Sequence, residues 1–134
     1  MTPAEARNAI VSRYLTEFNG QFPIAIDNRE FEAPETPEKW TRIAVRFSSG
    51  NQSSLGQDGN RKFEKRGLVF IQVFTPSGEG TDNNDSLAKL ILDLMDGERL
   101  DNLWLFNGRI NTIGNDGAYF QQNIILDFTF EEIR

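Results

Sequence analysis

The clearest hydrophobic pattern in the chain lies between Gly67 and Met95. A dense apolar run, Gly67-Leu68-Val69-Phe70-Ile71-Gln72-Val73-Phe74, stops at Thr75-Pro76-Ser77-Gly78-Glu79-Gly80. An amphipathic stretch from Asp82 to Met95 follows. The run is apolar at both alternating sets of positions, which predicts a central strand covered on both sides. The amphipathic stretch predicts a helix that covers one of them. Leu87, Ile91, Leu94 and Met95 make its apolar face, with Ala88 and Leu90 beside it. Asp82–Asp85 offers several caps at its start, and Gly97 ends it.

Thr2 to Phe18 has the same helical rhythm. Ala6, Ile10, Tyr14 and Phe18 recur at i, i+4 spacing, with Val11 and Leu15 alongside. Thr2 and Glu5 form a capping box around Pro3, and Asn19-Gly20 is a stop signal. Phe22–Ile26 predicts a short strand that Pro23 assigns to an edge or a strand start. Asp27-Asn28 reads as a turn, and Phe31–Lys39, with Pro34 and Pro37 among acidic residues, as an irregular connection. In Trp40–Phe47, Ile43, Val45 and Phe47 alternate with Arg42 and Arg46. The polar tract Ser48–Asn60 predicts a long flexible loop, and the charged Arg61–Arg66 a lead-in to the central strand. Leu103–Phe106 and Asn111–Ile113 read as two strands and Gly114-Asn115-Asp116-Gly117 as a turn. Ala118–Phe130 reads as a long last strand, broken near Gln122-Asn123. The order α-β-β-(long loop)-β-α-β-β-β predicts one α+β domain over residues 1–134, a mainly antiparallel sheet with two helices packed on it.

Composition narrows the function classes. The chain has 134 residues, 38% hydrophobic and eleven of them Phe, enough for a substantial core. Its net charge of −6 disfavours nonspecific binding to nucleic acid or anionic membranes. No apolar run approaches the roughly 20 residues a membrane helix needs. Met1-Thr2-Pro3-Ala4-Glu5 has neither the basic nor the apolar region of a signal peptide. Cysteine and histidine are both absent, which removes disulfides, thiolate metal sites, the commonest general base and any Ser-His-Asp triad. The expectation is a protein that is not an enzyme, with no catalytic residue, no metal and no cofactor.

The remaining constellations are weak as chemistry. The carboxylate pairs Glu30/Glu32, Asp82/Asp85 and Glu131/Glu132 have the residue type for acid–base work or a hard cation. One pair sits where a helix favours negative charge, the others on a connection and at the chain end, so capping and solvation are the readier reading. Gly78-Glu79-Gly80 precedes a helix but lacks the spacing of a phosphate-binding loop. Arg61, Lys62, Lys65 and Arg66 are the only concentrated positive charge, interrupted by Glu64. A solvated lead-in or a protein contact suits them better than phosphate binding, and Arg enrichment at interfaces favours the contact. Trp40 and Trp104 fit sheet packing, with a subunit interface as the alternative.

Element order now acquires a second meaning. An N-terminal helix with Ile10-Val11-Ser12-Arg13-Tyr14, the strand Trp40-Thr41-Arg42-Ile43-Ala44-Val45, a charged lead-in, the Gly67–Phe74 strand, then Pro76-Ser77-Gly78-Glu79-Gly80 and an amphipathic helix run in series. This series is similar to the small tail terminator (tail completion) proteins of long-tailed bacteriophages. It resembles in particular a phage-related family of unknown function that looks like the lambda minor tail protein U group. The resemblance covers essentially the whole chain and rests on length, order and hydrophobic pattern.

The resemblance implies a structural component of the virion tail, assembled in the bacterial host cytoplasm and encoded by a phage or prophage. Such proteins form a ring, generally a hexamer, that caps the tail tube, stops its polymerisation and joins it to the head-completion proteins. The implied partners are other copies of the chain, the tail-tube protein and a head-completion protein, with no membrane and no sequence-specific nucleic acid. A cyclic ring joins two different patches on each subunit. Arg61, Lys62, Lys65 and Arg66 are the candidates for one, and acidic Glu30 and Glu32, in the stretch Glu30–Glu38, for the other. The alternatives at this point are another head–tail neck adaptor, or a small non-catalytic partner- or ligand-binding domain of bacterial origin.

Overall fold

The computed structural model describes every residue from Met1 to Arg134. The first helix, α1 (Pro3–Phe18), starts as its capping box dictates. The Glu5 N–H donates to the Thr2 hydroxyl and the Thr2 N–H to the Glu5 carboxylate, both at 3.2 Å. Its buried stripe is Ala6, Ile10, Tyr14 and Phe18. The second helix, α2 (Asp82–Met95), buries Leu87, Ala88, Ile91 and Met95 and leaves Leu90 half-exposed. None of the expected acidic caps forms there. Thr81 is the N-cap and makes no side-chain capping bond, while Asp82 and Asp85 lie in the first turn, where the helix dipole favours negative charge.

Six strands form one mixed sheet: β1 (Ile24–Ile26), β2 (Trp40–Gln52), β3 (Lys62–Pro76), β4 (Arg99–Leu100), β5 (Leu103–Asp116) and β6 (Tyr119–Ile133). Their order across the sheet is β1-β2-β3-β6-β5-β4. The α+β class holds, and every ladder is antiparallel except one. β1 joins β2 in parallel, Ile24–Ile26 against Thr41–Ile43, at the edge where Pro23 placed it. β3 and β6 are the central pair, in continuous register from Lys62↔Ile133 to Pro76↔Tyr119.

Both helices lie on the same face. Val69, Ile71 and Val73 of β3 and Ile124, Leu126, Phe128 and Phe130 of β6 meet α1 and α2 in one buried cluster. The Tyr14 and Thr41 hydroxyls share a buried hydrogen bond of 2.6 Å that ties α1 to β2. The expectation of a central strand covered on both sides is therefore corrected. Leu68, Phe70, Gln72 and Phe74 point to the other face and are only partly buried. Phe74, at the end of this row, is apolar because it joins an aromatic stack on that face. Phe31 stacks on Trp40 at 4.9 Å and Trp40 on Phe74 at 4.1 Å, with Tyr119 edge-on at 6.0 Å.

Three further differences concern strand length. The expected loop Ser48–Asn60 begins as strand, up to Gln52: after an irregularity between Phe47 and Ser49, the ladder runs on from Ser49↔Arg66 to Gln52↔Phe63. Leu103–Phe106 and Asn111–Ile113 belong to one strand, jogged between Phe106 and Arg109, where Asn107 takes φ 55°. The break expected in the last strand at Gln122-Asn123 lies on its neighbour instead, between Thr112 and Gly114.

Candidate assembly surface

The charged segments that lead into and out of the sheet build a projecting arm. Past Phe47, β2 and β3 continue as a hairpin, and the end of β6 joins as a third strand through Lys62↔Ile133, Phe63↔Glu132, Glu64↔Glu131 and Lys65↔Phe130. Arg61 and Arg134 close this ladder with two backbone hydrogen bonds, 3.0 and 2.8 Å. Pairing of β5 with β6 in this direction ends at Trp104↔Thr129, so the arm extends beyond the rest of the sheet. Its turn is held by Ser53, whose N–H donates to the Lys62 carbonyl at 2.7 Å, and by Ser54, whose hydroxyl accepts from the Lys62 N–H at 3.0 Å. Leu55, at the tip, is fully exposed.

Arg61, Lys62, Lys65 and Arg66 all lie on this arm, exposed or half-exposed. Arg61 pairs with Asp58 at 2.9 Å and Arg66 with Glu64 at 3.1 Å. Lys62 and Lys65 make no ion pair; the Lys65 ammonium lies 5.7 Å from the Phe63 ring centre, and the Arg134 guanidinium 4.1 Å from it. Charged side chains thus flank an aromatic anchor, a surface type enriched at protein interfaces.

Glu30 and Glu32 are exposed on the connection between β1 and β2, on either side of Phe31. Through Phe31 that connection is fastened to Trp40, the first residue of β2, whereas the arm holds its last. The basic residues are gathered where β3 pairs with Ser49–Gln52, and the connection that carries the glutamates runs from Asp27, bonded to Arg46, to Phe31, packed on Trp40. No ion pair joins Glu30 or Glu32 to the basic residues within the chain.

The other constellations resolve into structural roles. Asp85 accepts from the Gln122 amide at 2.7 Å, and Asn84, wholly buried, donates to the Val73 carbonyl, the Thr75 hydroxyl and the Phe120 carbonyl at 3.0–3.1 Å. These bonds fix the start of α2 on the sheet. Gly78 and Gly80 take φ of 87° and 78° in the turn before that helix, a conformation glycine adopts without strain. No group of three or more Asp or Glu side chains is placed to hold a metal ion. Trp40 packs in the aromatic stack, while Trp104, partly exposed, stacks on Phe106 at 4.4 Å under the Arg99 guanidinium.

A cleft of about 550 Å³ lies at the end of the sheet away from the arm, between α2 and the residues just before β2. Pro37, Pro76, Leu87 and Leu90 form its apolar wall, and Glu38 and Glu79 stand among its polar lining. Nothing in the sequence marked it, because its wall comes from three separated segments. The third strand of the arm was equally unmarked, because Phe130-Glu131-Glu132-Ile133-Arg134 does not alternate.

A projecting charged arm and a one-sided sheet put the chain in a class whose surface suits contact with other proteins. Comparison with known families gives that class its place: residues 6–123 match the family described as phage tail terminator protein, and the chain belongs to it. The family assigns it a structural role in the phage tail, a place in the virion tail and partners among other tail and head proteins. No curated protein matches the chain. Among solved structures, one that is 17% identical superposes with a TM-score of 0.71, covering 100% of this chain and 99% of the other. At that identity the likeness concerns the fold.

Proposed function

We propose that this protein caps the end of the phage tail tube as a ring, most simply a hexamer, stopping tube polymerisation and presenting a surface to head-completion proteins. The observation that carries the reading is the family match over nearly the whole chain. The placement of charge supports it: a basic arm and a separate acidic connection, unpaired with each other within the chain, favour a contact between unlike patches of neighbouring copies, which generates rings. In this reading Arg61, Lys62, Lys65 and Arg66 of one subunit face Glu30 and Glu32 of the next. The protein performs no chemistry; assembly takes place in the host cytoplasm.

Charge exchange tests the pairing. Reversing Arg61 and Arg66 to Glu is expected to weaken ring formation at least tenfold in concentration. Adding Glu30→Lys and Glu32→Lys to the same chain is expected to restore it in part. Unchanged assembly of the Arg61→Glu, Arg66→Glu variant contradicts the assignment of this patch.

A further inference from the structure

We propose that the arm tip of one copy inserts Leu55 into the cleft beside α2 of the next copy. This rests on the ring reading above and names the seat of the contact. Leu55 is fully exposed at the tip of a loop whose base is fastened by the Lys62 N–H to the Ser54 hydroxyl, so its side chain is an apolar knob free to enter a neighbour's cleft. Its neighbours Ser53, Ser54 and Gly56 are small, so the knob stands clear of bulk that would block entry. The hole lies in the same chain, at the other end of the sheet. The cleft offers Leu90, half-exposed, with Pro37, Pro76 and Leu87 around it.

Charge fits as well. From Asp58 to Arg66 the arm carries Arg61, Lys62, Lys65 and Arg66 against Asp58 and Glu64. The cleft is lined by Glu38 and Glu79 against Lys39, and the segment leading to it adds Glu30, Glu32 and Glu35. Knob and hole cannot meet within one chain, because the 15 residues of β3 between them span roughly 45 Å. The contact is therefore between copies, and joining two different ends of each copy makes it head to tail.

The chain has no cysteine, so Leu55→Cys and Leu90→Cys introduce the only thiols. A disulfide forms only where the two Cα atoms come within about 7 Å. Variants are incubated with tail-tube protein, oxidised and resolved on non-reducing gels, and particle mass is read in parallel by light scattering. A mixture of the two single variants is expected to give a crosslinked dimer that neither gives alone. The double variant is expected to give a ladder ending at the ring number. Ring-sized particles with no crosslink in the mixture, or Leu55→Cys crosslinking to itself, overturn the seat and leave the ring standing. Monomers of the wild-type chain at every concentration, with and without tube protein, overturn the ring and the seat together. Leu55→Asp separates packing from proximity. It is expected to raise the concentration for assembly at least tenfold with an unchanged unfolding midpoint, and normal assembly of that variant also overturns the seat.

Discussion

Gly67 sits where the arm leaves the body of the sheet, and replacing it by alanine is a sharp test of the packing there. Gly67 opposes Phe47 on one side and Phe128 on the other, one residue before the irregularity that starts the arm. A Cβ at this position would overlap the Arg46 carbonyl oxygen and the Phe128 ring, whose Cε1 would lie 2.6 Å away. Neither neighbour has room to yield. The carbonyl belongs to the paired backbone of β2, and Phe128 is wholly buried, edge-on to Phe47 at 5.8 Å and stacked on Phe130 at 6.2 Å. Backbone propensity alone predicts that alanine stabilises a strand by about 0.5–1 kcal/mol over glycine. Overpacking against a fixed neighbour costs about 1–3 kcal/mol, and with a backbone overlap the upper end applies. The net expectation for Gly67→Ala is a loss of about 2 kcal/mol, or a fall in Tm of about 6–10 °C for a domain of this size. Equilibrium unfolding in urea reads it as a lower midpoint at constant slope. Gly50→Ala is the control, because its Cβ would meet only the flexible end of Lys65, with Cδ at 2.6 Å. That variant is expected within about 0.5 kcal/mol of wild type. A Gly67→Ala protein as stable as wild type, or more so, refutes the packing argument.

Other perturbations follow from the same structure. Asn84→Leu removes the donor shared by the Val73 and Phe120 carbonyls and the Thr75 hydroxyl, and one of the two acceptors of the Gln122 amide, which keeps Asp85. Leaving such groups buried without partners is expected to cost about 2–4 kcal/mol; a loss below 1 kcal/mol in chemical denaturation contradicts the network's role. The Arg46 guanidinium donates to the Asp27 carboxylate at 2.6 Å, and that hydrogen bond holds Asp27 below its ordinary carboxylate value. A lowered folded pKa contributes stability above the unfolded value and loses it as pH falls through the folded one. Asp27→Asn is therefore expected to flatten the acid limb of a stability–pH curve below about pH 4. The change is expected to stay under about 1 kcal/mol, since both side chains are largely in water. An acid limb identical to wild type removes the pair from the account.

Much of the architecture was legible where local signals and burial agree. The capping box at Thr2, the i, i+4 stripe through Phe18 and the Asp82–Met95 helix all express an apolar face that the sheet buries. The arm was not legible because Ser48–Gln52 is rich in residues that disfavour strands, and its pairing depends on Lys62–Arg66 and on the chain end. Continuity of β5 was hidden by Asn107 and Gly108, residue types that disfavour strands and here form a jog within one. The one-sided sheet was hidden by Phe70 and Phe74: apolar residues at both alternating positions signal burial without saying what covers them. The basic cluster of the candidate surface could be read from composition. Its separation from Glu30 and Glu32 could not, since it depends on how the connection from Asp27 to Trp40 folds against β2.

Solution mass tests the central claim most directly. Light scattering is read across a wide concentration range, with and without the tail-tube protein. A discrete ring at high concentration, or one that forms only with tube protein and halts its further growth, is the predicted result. A monomer indifferent to both, with tubes that lengthen unchecked in its presence, contradicts the account.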